Sequence, residues 1–346
     1  MRAIICSEYG PAEMLCRGEM PSPDMGPDDV RIKVYAAAVN FPDNLIIQGK
    51  YQAKPPMPFA PGFEIAGEVI ETGTNVRRFQ PGDRVMALTR DGYGGFAEEA
   101  VARAELAIAV PEEMDCVTAS GFYSSYGTSY YALVSRGRIQ PGETLVVLGA
   151  AGGVGLASIE IAKALGATVI AVASSTSKLE TAKLHGADHL IDYSRENLKQ
   201  RILELTDGKG ADLCMDTVGG EAFNSMSRCM NHDGRLLVVG FASGQIPQIP
   251  ANLLLLKNFQ VVGIFWWPAV QRNVAQHQAS FRHLAELYRG GQLTPLISQT
   301  YPLEKTVDAL KMVLSRNLTG KLVITPTDEP RTKGNRHALQ NDSGSE

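Results

Sequence analysis

The chain changes texture near residue 142. Before that point short apolar runs alternate with polar positions and are punctuated by proline and glycine. Val30-Arg-Ile-Lys-Val-Tyr-Ala alternates as a half-buried strand does, and Glu64-Ile-Ala-Gly-Glu-Val-Ile-Glu and Arg84-Val-Met-Ala-Leu follow. The turn residues Gln80-Pro-Gly-Asp separate the last two. Short strands at this spacing predict a small, partly open barrel. Residues 119–135 then read as helical and carry Tyr123, Tyr126, Tyr130 and Tyr131.

From Gly142 onward strand and helix patterns take turns. Thr144-Leu-Val-Val-Leu, Ala167-Thr-Val-Ile-Ala-Val, His189-Leu-Ile-Asp, Ala211-Asp-Leu-Cys-Met-Asp, Gly234-Arg-Leu-Leu-Val-Val-Gly and Gln260-Val-Val-Gly-Ile-Phe read as strands. Helical stretches are expected at 178–184, 196–205 and 221–230. This alternation predicts an α/β domain with a doubly wound parallel sheet of about six strands. Helices at Val274–Arg289 and Thr306–Leu314, with Lys321-Leu-Val-Ile, are expected to return to the first domain. Residues 327–346 are rich in charge, Ser, Gly and Asn and read as a disordered tail.

At 346 residues two domains are the natural prior. A formal net charge of −4 argues against a nucleic-acid or anionic-membrane binder. Lys257, Asn258 and Gln260 interrupt the longest apolar stretch, so no membrane span is expected. The N-terminus has too little apolar length for a signal peptide, which makes the cytosol the expected location. Cys6, Cys16, Cys116, Cys214 and Cys229 are scattered and form no C-x-x-C pair, as suits free thiols in a reducing compartment. His185 and His189 flank Gly186 and read as loop or helix-end residues.

The chemistry is concentrated at Gly149-Ala-Ala-Gly152-Gly153-Val154-Gly155, between the first strand of the repeat and a helical pattern at Leu156, Ile159, Ala162 and Leu165. Bare amides at such a helix N-terminus suit a diphosphate. Gly152 would let backbone approach the phosphates and Gly155 would let the helix pack on the strand. Ala150 stands at the usual first glycine of G-x-G-x-x-G. The second strand of a dinucleotide fold normally closes with an acidic residue that binds ribose hydroxyls. Here it closes Ala173-Ser174-Ser175-Thr176-Ser177-Lys178, with no carboxylate. Hydroxyls and one ammonium suit a 2′-phosphate, hence NADPH; the same serines would also cap the following helix.

Several segments together resemble the zinc-free medium-chain dehydrogenases/reductases of the quinone oxidoreductase (zeta-crystallin-like) group. They are Ala38-Val-Asn40-Phe-Pro-Asp43, Gly49-Lys-Tyr51, Pro58-Phe-Ala-Pro-Gly62-Phe-Glu64, the glycine loop, Val238-Val-Gly-Phe241-Ala-Ser-Gly and Thr319-Gly-Lys321-Leu-Val. The resemblance covers residues 1–325. It implies a GroES-like β-barrel substrate domain at 1–122, completed by about 268–326, a Rossmann domain at 123–267, and a homodimer. Zinc alcohol dehydrogenases place cysteine where Asn40 stands and histidine where Phe63 stands, and residues 84–100 lack the cysteines of their structural-zinc loop. Asn and Phe cannot assemble that Lewis-acid site. The implied chemistry is metal-free hydride delivery to an acceptor that is already electrophilic.

The resemblance also assigns residues. Asn40 would donate to a developing oxyanion, or it would only cap the turn before Pro42. Tyr51 would stand near the nicotinamide, as proton donor or as cleft wall. Thr128 would reach the nicotinamide amide. Gly152, Gly153, Val154 and Gly155 would hold the pyrophosphate; Ser174, Ser175 and Lys178 the 2′-phosphate; and Tyr193 the adenosine. Phe241, Ala242 and Ser243, with Ile264, Phe265 and Trp266, would approach the nicotinamide from strand ends. Trp266 and Trp267 would either line an apolar acceptor cleft or fill the seam between domains. Lys321 would lie near the cofactor or be a solvated strand residue. The leading function is an NADPH-dependent quinone reductase. An NADPH-dependent reductase of α,β-unsaturated carbonyls or enoyl-thioesters, and a non-catalytic NADPH-binding protein, are the alternatives.

Overall fold

The computed structural model describes residues 1–52, 54–315 and 317–330. They form two compact units. The first comprises Met1–Ser120, Thr300–Leu310 and the chain from Val323; the second comprises Gly121–Gln299 and Lys311–Leu322.

The first unit is built on strands. They are β1 (Arg2–Ile5), β2 (Cys16–Glu19), β3 (Asp29–Val39), β4 (Glu64–Thr72), β5 (Arg84–Leu88), β6 (Glu99–Arg103) and β7 (Ile108–Ala109), with helix α1 (Phe41–Ile47) after β3. β3 pairs antiparallel with β4 and β6, β4 with β5, and β5 with β7. Val30, Ile32 and Val34 alternate with less buried positions at the start of β3, while its second half is buried on both faces. The Gln80–Asp83 turn closes as its residues require: Gly82 takes a φ of +97°, and the Asp83 carboxylate accepts the Gln80 N–H.

The second unit alternates helix and strand. Its elements are α2 (Cys116–Tyr130), β8 (Thr144–Leu148), α3 (Gly153–Ala164), β9 (Thr168–Ala173), α4 (Thr176–Leu184), β10 (His189–Asp192), α5 (Leu198–Leu205), β11 (Ala211–Asp216), α6 (Gly220–Met226), β12 (Met230–Val238), α7 (Ala251–Lys257), β13 (Gln260–Gly263), α8 (Trp266–Arg272) and α9 (Val274–Arg289). The six strands are parallel, in the order β10-β9-β8-β11-β12-β13. Leu145 to Leu148 are buried on both faces, which is why β8 reads as an unbroken apolar run. The chain order reverses between β8 and β11, the switch point where open α/β sheets bind ligands. The chain ends through β14 (Ile297–Pro302), α10 (Thr306–Leu314) and β15 (Lys321–Thr325). These strands extend the first unit's sheet in the order β14-β15-β3-β4-β5-β7. Among the described residues no helix is long and apolar enough to cross a membrane.

Three differences from the sequence expectation have physical reasons. Helix α9 lies in the second unit, because its stripe of His277, Phe281, Leu284 and Leu287 packs on the aromatic face of α2, with Tyr123 stacked on Phe281 at 4.9 Å. Helix α6 stops at Met226, where tight turns lead out so that Met230 can pair with Ala211. The expected tail is anchored at its start. Thr327 donates to the Val34 carbonyl at 2.6 Å, and Glu329 pairs with Arg84 and accepts the Cys116 N–H. The rest of that tail, 331–346, lies outside the described residues.

Candidate cofactor site

The glycine loop sits at the switch point. β8 ends at Leu148, whose carbonyl accepts the Thr217 hydroxyl at 3.0 Å from the end of the neighbouring strand β11. Gly149 turns the chain with a φ of +70°, and a Cβ there would stand 2.5 Å from that same hydroxyl. Helix α3 starts with Gly152 as its N-cap and no side chain capping it. A Cβ on Gly155 would lie 2.3 Å from the Gly149 carbonyl oxygen, so close helix–strand packing requires glycine there. Ala150 is buried beneath the loop. The α3 N-terminus presents backbone N–H groups and the positive end of a helix, the features that suit a diphosphate.

Three further segments frame this loop. The Gly320 N–H donates to the Ala151 carbonyl at 2.8 Å, and Gly152 and Gly320 form a parallel bridge. Lys321 is thereby carried against the loop: a Cβ on Gly153 would meet its Cδ at 2.7 Å and the Ser125 Oγ at 2.9 Å. It is a buried lysine, not a solvated strand residue. From α2, Ser129 donates to the Val154 carbonyl at 3.0 Å, and half-buried Thr128 is its neighbour. After β12, Ala242 and Ser243 donate their N–H groups to the carbonyls of Thr217 and Val218. The segment containing exposed Phe241 is thus tied to the glycine loop through Thr217.

The corner after β9 brings its own residues together. Ser175 is the N-cap of α4, and the Lys178 ammonium lies 3.5 Å from the Ser174 hydroxyl. The Tyr193 N–H donates to the Ala173 carbonyl, which carries the exposed Tyr193 ring to the same corner. Arg195 extends from this turn beside Asp192. The Asp192 carboxyl is held below its usual range, first by the Ser194 hydroxyl.

Ile264 and Phe265 follow β13, the first buried and the second exposed. Trp266 behaves differently from a cleft residue. Its indole is buried, edge-on to Tyr123 at 5.4 Å, and lies on the backbone of Gly127, where a Cβ would be 2.3 Å from the ring. The glycine inside α2 makes room for the ring, so the geometry gives Trp266 a packing role.

In the first unit, Asn40 is the N-cap of α1, and its N–H donates to the Asp43 carboxylate at 2.7 Å. Its amide Nδ2 donates to Glu64 Oε2 at 2.9 Å and to the Ala38 carbonyl at 3.2 Å. Two acceptors fix the amide orientation and engage both of its protons. This favours the turn-holding role over donation to an oxyanion. Tyr51 is half-buried, and burial first, then the charge of Asp43, raises its phenol above the ordinary tyrosine range. Its oxygen therefore stays protonated through the neutral range.

The family of the alcohol dehydrogenase GroES-like domain matches residues 26–112, and that of the zinc-binding dehydrogenases matches residues 153–280. A quinone oxidoreductase-like protein 2 homolog of Nematostella vectensis is 41% identical over 325 residues, covering 93% of this chain and 88% of that protein. The chain belongs to the quinone oxidoreductase-like group of medium-chain dehydrogenases/reductases. Human quinone oxidoreductase is 30% identical over 326 residues, covering 94% and 97% of the two chains. The solved Escherichia coli quinone oxidoreductase complexed with NADPH superposes with a TM-score of 0.88 at 27% identity, covering 94% of this chain and all of that one (100%).

Among the described residues no three His, Cys, Asp or Glu side chains group as ligands for a metal ion. The five cysteines are free thiols; Cys16 is exposed and the others are buried. Burial pushes the Cys229 thiol up to about 12.

Proposed function

We propose that the chain is an NADPH-dependent quinone reductase. The observation that carries the reading is the corner after β9. Two serines and the Lys178 ammonium converge where a carboxylate would repel a 2′-phosphate, next to a glycine loop shaped for a diphosphate. The NADPH complex of the Escherichia coli relative supports the same cofactor. Bound by these residues, NADPH supplies a hydride, that is, an electron pair and one hydrogen nucleus. A quinone accepts it and takes one further proton from water to give the hydroquinone. The quinone is already electrophilic enough to accept hydride without a metal, and its reduced oxygens are the basic sites that take the proton.

The residues of this chain divide the work. The α3 N-terminus with Gly152, Gly153, Val154 and Gly155 binds the pyrophosphate, with Lys321 beside it. Ser174, Ser175 and Lys178 bind the 2′-phosphate, with Tyr193 along the adenosine, while Thr128, Phe241, Ala242, Ser243, Ile264 and Phe265 serve the nicotinamide end. Asn40 holds the strand-to-helix turn, and Tyr51 shapes the acceptor site. The protonated Tyr51 phenol also favours a second reading, reduction of α,β-unsaturated carbonyls or enoyl-thioesters, where an enolate carbon needs a proton.

We also propose a homodimer. β13 lies at one edge of the six-stranded sheet, and Leu255, Leu256 and Phe265 are exposed near it in sequence. An apolar edge of this kind calls for a partner strand.

The test of the cofactor reading is a fluorescence titration of the full chain with NADPH and NADH. Tighter binding of NADPH supports the reading; equal binding, or none, contradicts it. Binding followed by a turnover panel of quinones, enones and enoyl-thioesters then separates the reductase readings from a non-catalytic role, which predicts binding with no acceptor reduced.

A further inference from the structure

The second unit contains a buried carboxylate that the proposed chemistry does not use. Glu160 projects from the middle of α3 and is nearly fully buried. Four donors from three other segments converge on it. The Tyr126 hydroxyl of α2 donates to Oε2 at 2.5 Å. His185 Nδ1, at the C-cap of α4, lies 2.6 Å from Oε1. Thr294 donates its hydroxyl to Oε1 at 2.6 Å and its backbone N–H to both oxygens at 3.1 Å.

The chemistry of this set is one-sided. Tyrosine and threonine hydroxyls can donate or accept, but a backbone N–H only donates, and a carboxylate only accepts. Facing a carboxylate, His185 carries its proton on Nδ1. Burial, then the Glu160 charge, raises the Tyr126 phenol well above its ordinary range and keeps it a donor. A carboxylate taken from water at this depth is tolerated only when its lone pairs are filled, and here they are.

What Glu160 and its donors have in common is where their segments lead. α3 begins at the glycine loop. α4 begins at Ser175 and carries Lys178. α2 carries Ser125 and Thr128 and grips the Val154 carbonyl through Ser129. Thr294 lies two residues before Leu296, whose carbonyl accepts the Lys321 N–H and so sets that lysine beside Gly153.

We propose that Glu160 is a positioning residue for dinucleotide binding: its carboxylate, bonded to Tyr126, His185 and Thr294, locks the four segments bearing the cofactor residues in register. The inference rests on the cofactor reading above. Misplacing these segments weakens binding of the free cofactor more than it slows reaction of cofactor already bound.

The experiment uses the full chain and measures NADPH dissociation constants by titration, thermal midpoints, and kcat at saturating NADPH. Glu160→Gln sets an amide donor among donors and should weaken NADPH about ten-fold. Tyr126→Phe and Thr294→Val each remove one hydroxyl and should weaken it by about three- to ten-fold. Thr294→Ser keeps both donors and should stay within about two-fold of wild type, as should kcat in every variant. If Glu160→Gln does not fold, the two hydroxyl variants decide. Variants that lose thermal stability yet bind NADPH as wild type does would make Glu160 a packing element and overturn the proposal, as would a large fall in kcat with binding unchanged. A wild-type chain that binds no dinucleotide would defeat the cofactor reading, and this inference with it. A wild-type chain that binds, beside hydroxyl variants that bind equally well, defeats this inference alone.

Discussion

The Lys178 ammonium stands 3.5 Å from the Ser174 hydroxyl, one helical turn away across the head of α4. This pairing gathers a cation and a hydroxyl at the end of β9, a strand that itself closes without an acid. Lys178→Ala should therefore remove most of the preference for NADPH. Loss of one charge-assisted bond, about 1.5–3 kcal/mol, lowers NADPH affinity about ten-fold or more and leaves NADH affinity nearly unchanged. Titrations with both cofactors check this, and equal weakening of the two would show that Lys178 does not read the 2′-phosphate.

Activity should be independent of metal. The Asn40 amide is engaged with Glu64 and Ala38, and Phe63 offers no lone pair, so neither position supplies a zinc ligand. Extended chelation should leave turnover unchanged, and elemental analysis should find less than stoichiometric zinc. A chelated enzyme that regains lost activity on adding zinc would overturn the assignment.

The edge strand β13 carries the prediction about assembly. If a two-fold partner pairs it, light scattering at micromolar concentration gives twice the mass of the 37.3 kDa chain. Replacing Val261 by proline should shift the mass toward the monomer, because proline removes a ladder donor. A wild-type chain of monomer mass would count against the pairing.

Much of this arrangement was legible in the chain because its signals are local. The apolar run of β8, the glycines after it and the periodic face of α3 are written within a few residues, as is the serine–lysine corner. Lys321 was readable only through its likeness to a known motif, and its burial against Gly153 comes from the bridge between Gly320 and the glycine loop, segments far apart in sequence. The packing of Trp266 on Gly127 and the grip of Asn40 on Glu64 were not legible, since each depends on segments brought together by the fold. Glu160 was hidden for the same reason. Its position within α3 looks like one more charged helix residue until α2, α4 and Thr294 close around it. The fate of α9 turned on which face its apolar stripe met, and periodicity alone names the stripe but not the partner.

Tyr51 separates the two reductase readings. Tyr51→Phe keeps the ring and deletes the hydroxyl. In a quinone reductase the variant should retain NADPH affinity and lose less than about ten-fold in quinone turnover, below the 10²–10⁴-fold typical of general acid catalysis. In an enoyl reductase the loss should reach that larger range. Because burial and the Asp43 charge raise the phenol, any basic limb that belongs to Tyr51 should fall above the ordinary tyrosine range. A large loss toward quinones with cofactor binding intact would show that the hydroxyl does more than shape the site.

The central claim is hydride transfer from bound NADPH to a quinone without a metal. Its most direct test is a single turnover: the chelated full-length chain, preloaded with one equivalent of NADPH, is mixed with excess quinone in a stopped-flow instrument, and nicotinamide absorbance is followed. The account predicts complete oxidation of the bound NADPH, with hydroquinone formed in equal amount and the same rate after zinc is added back. NADPH that stays reduced against every quinone tried, while remaining bound, would contradict it.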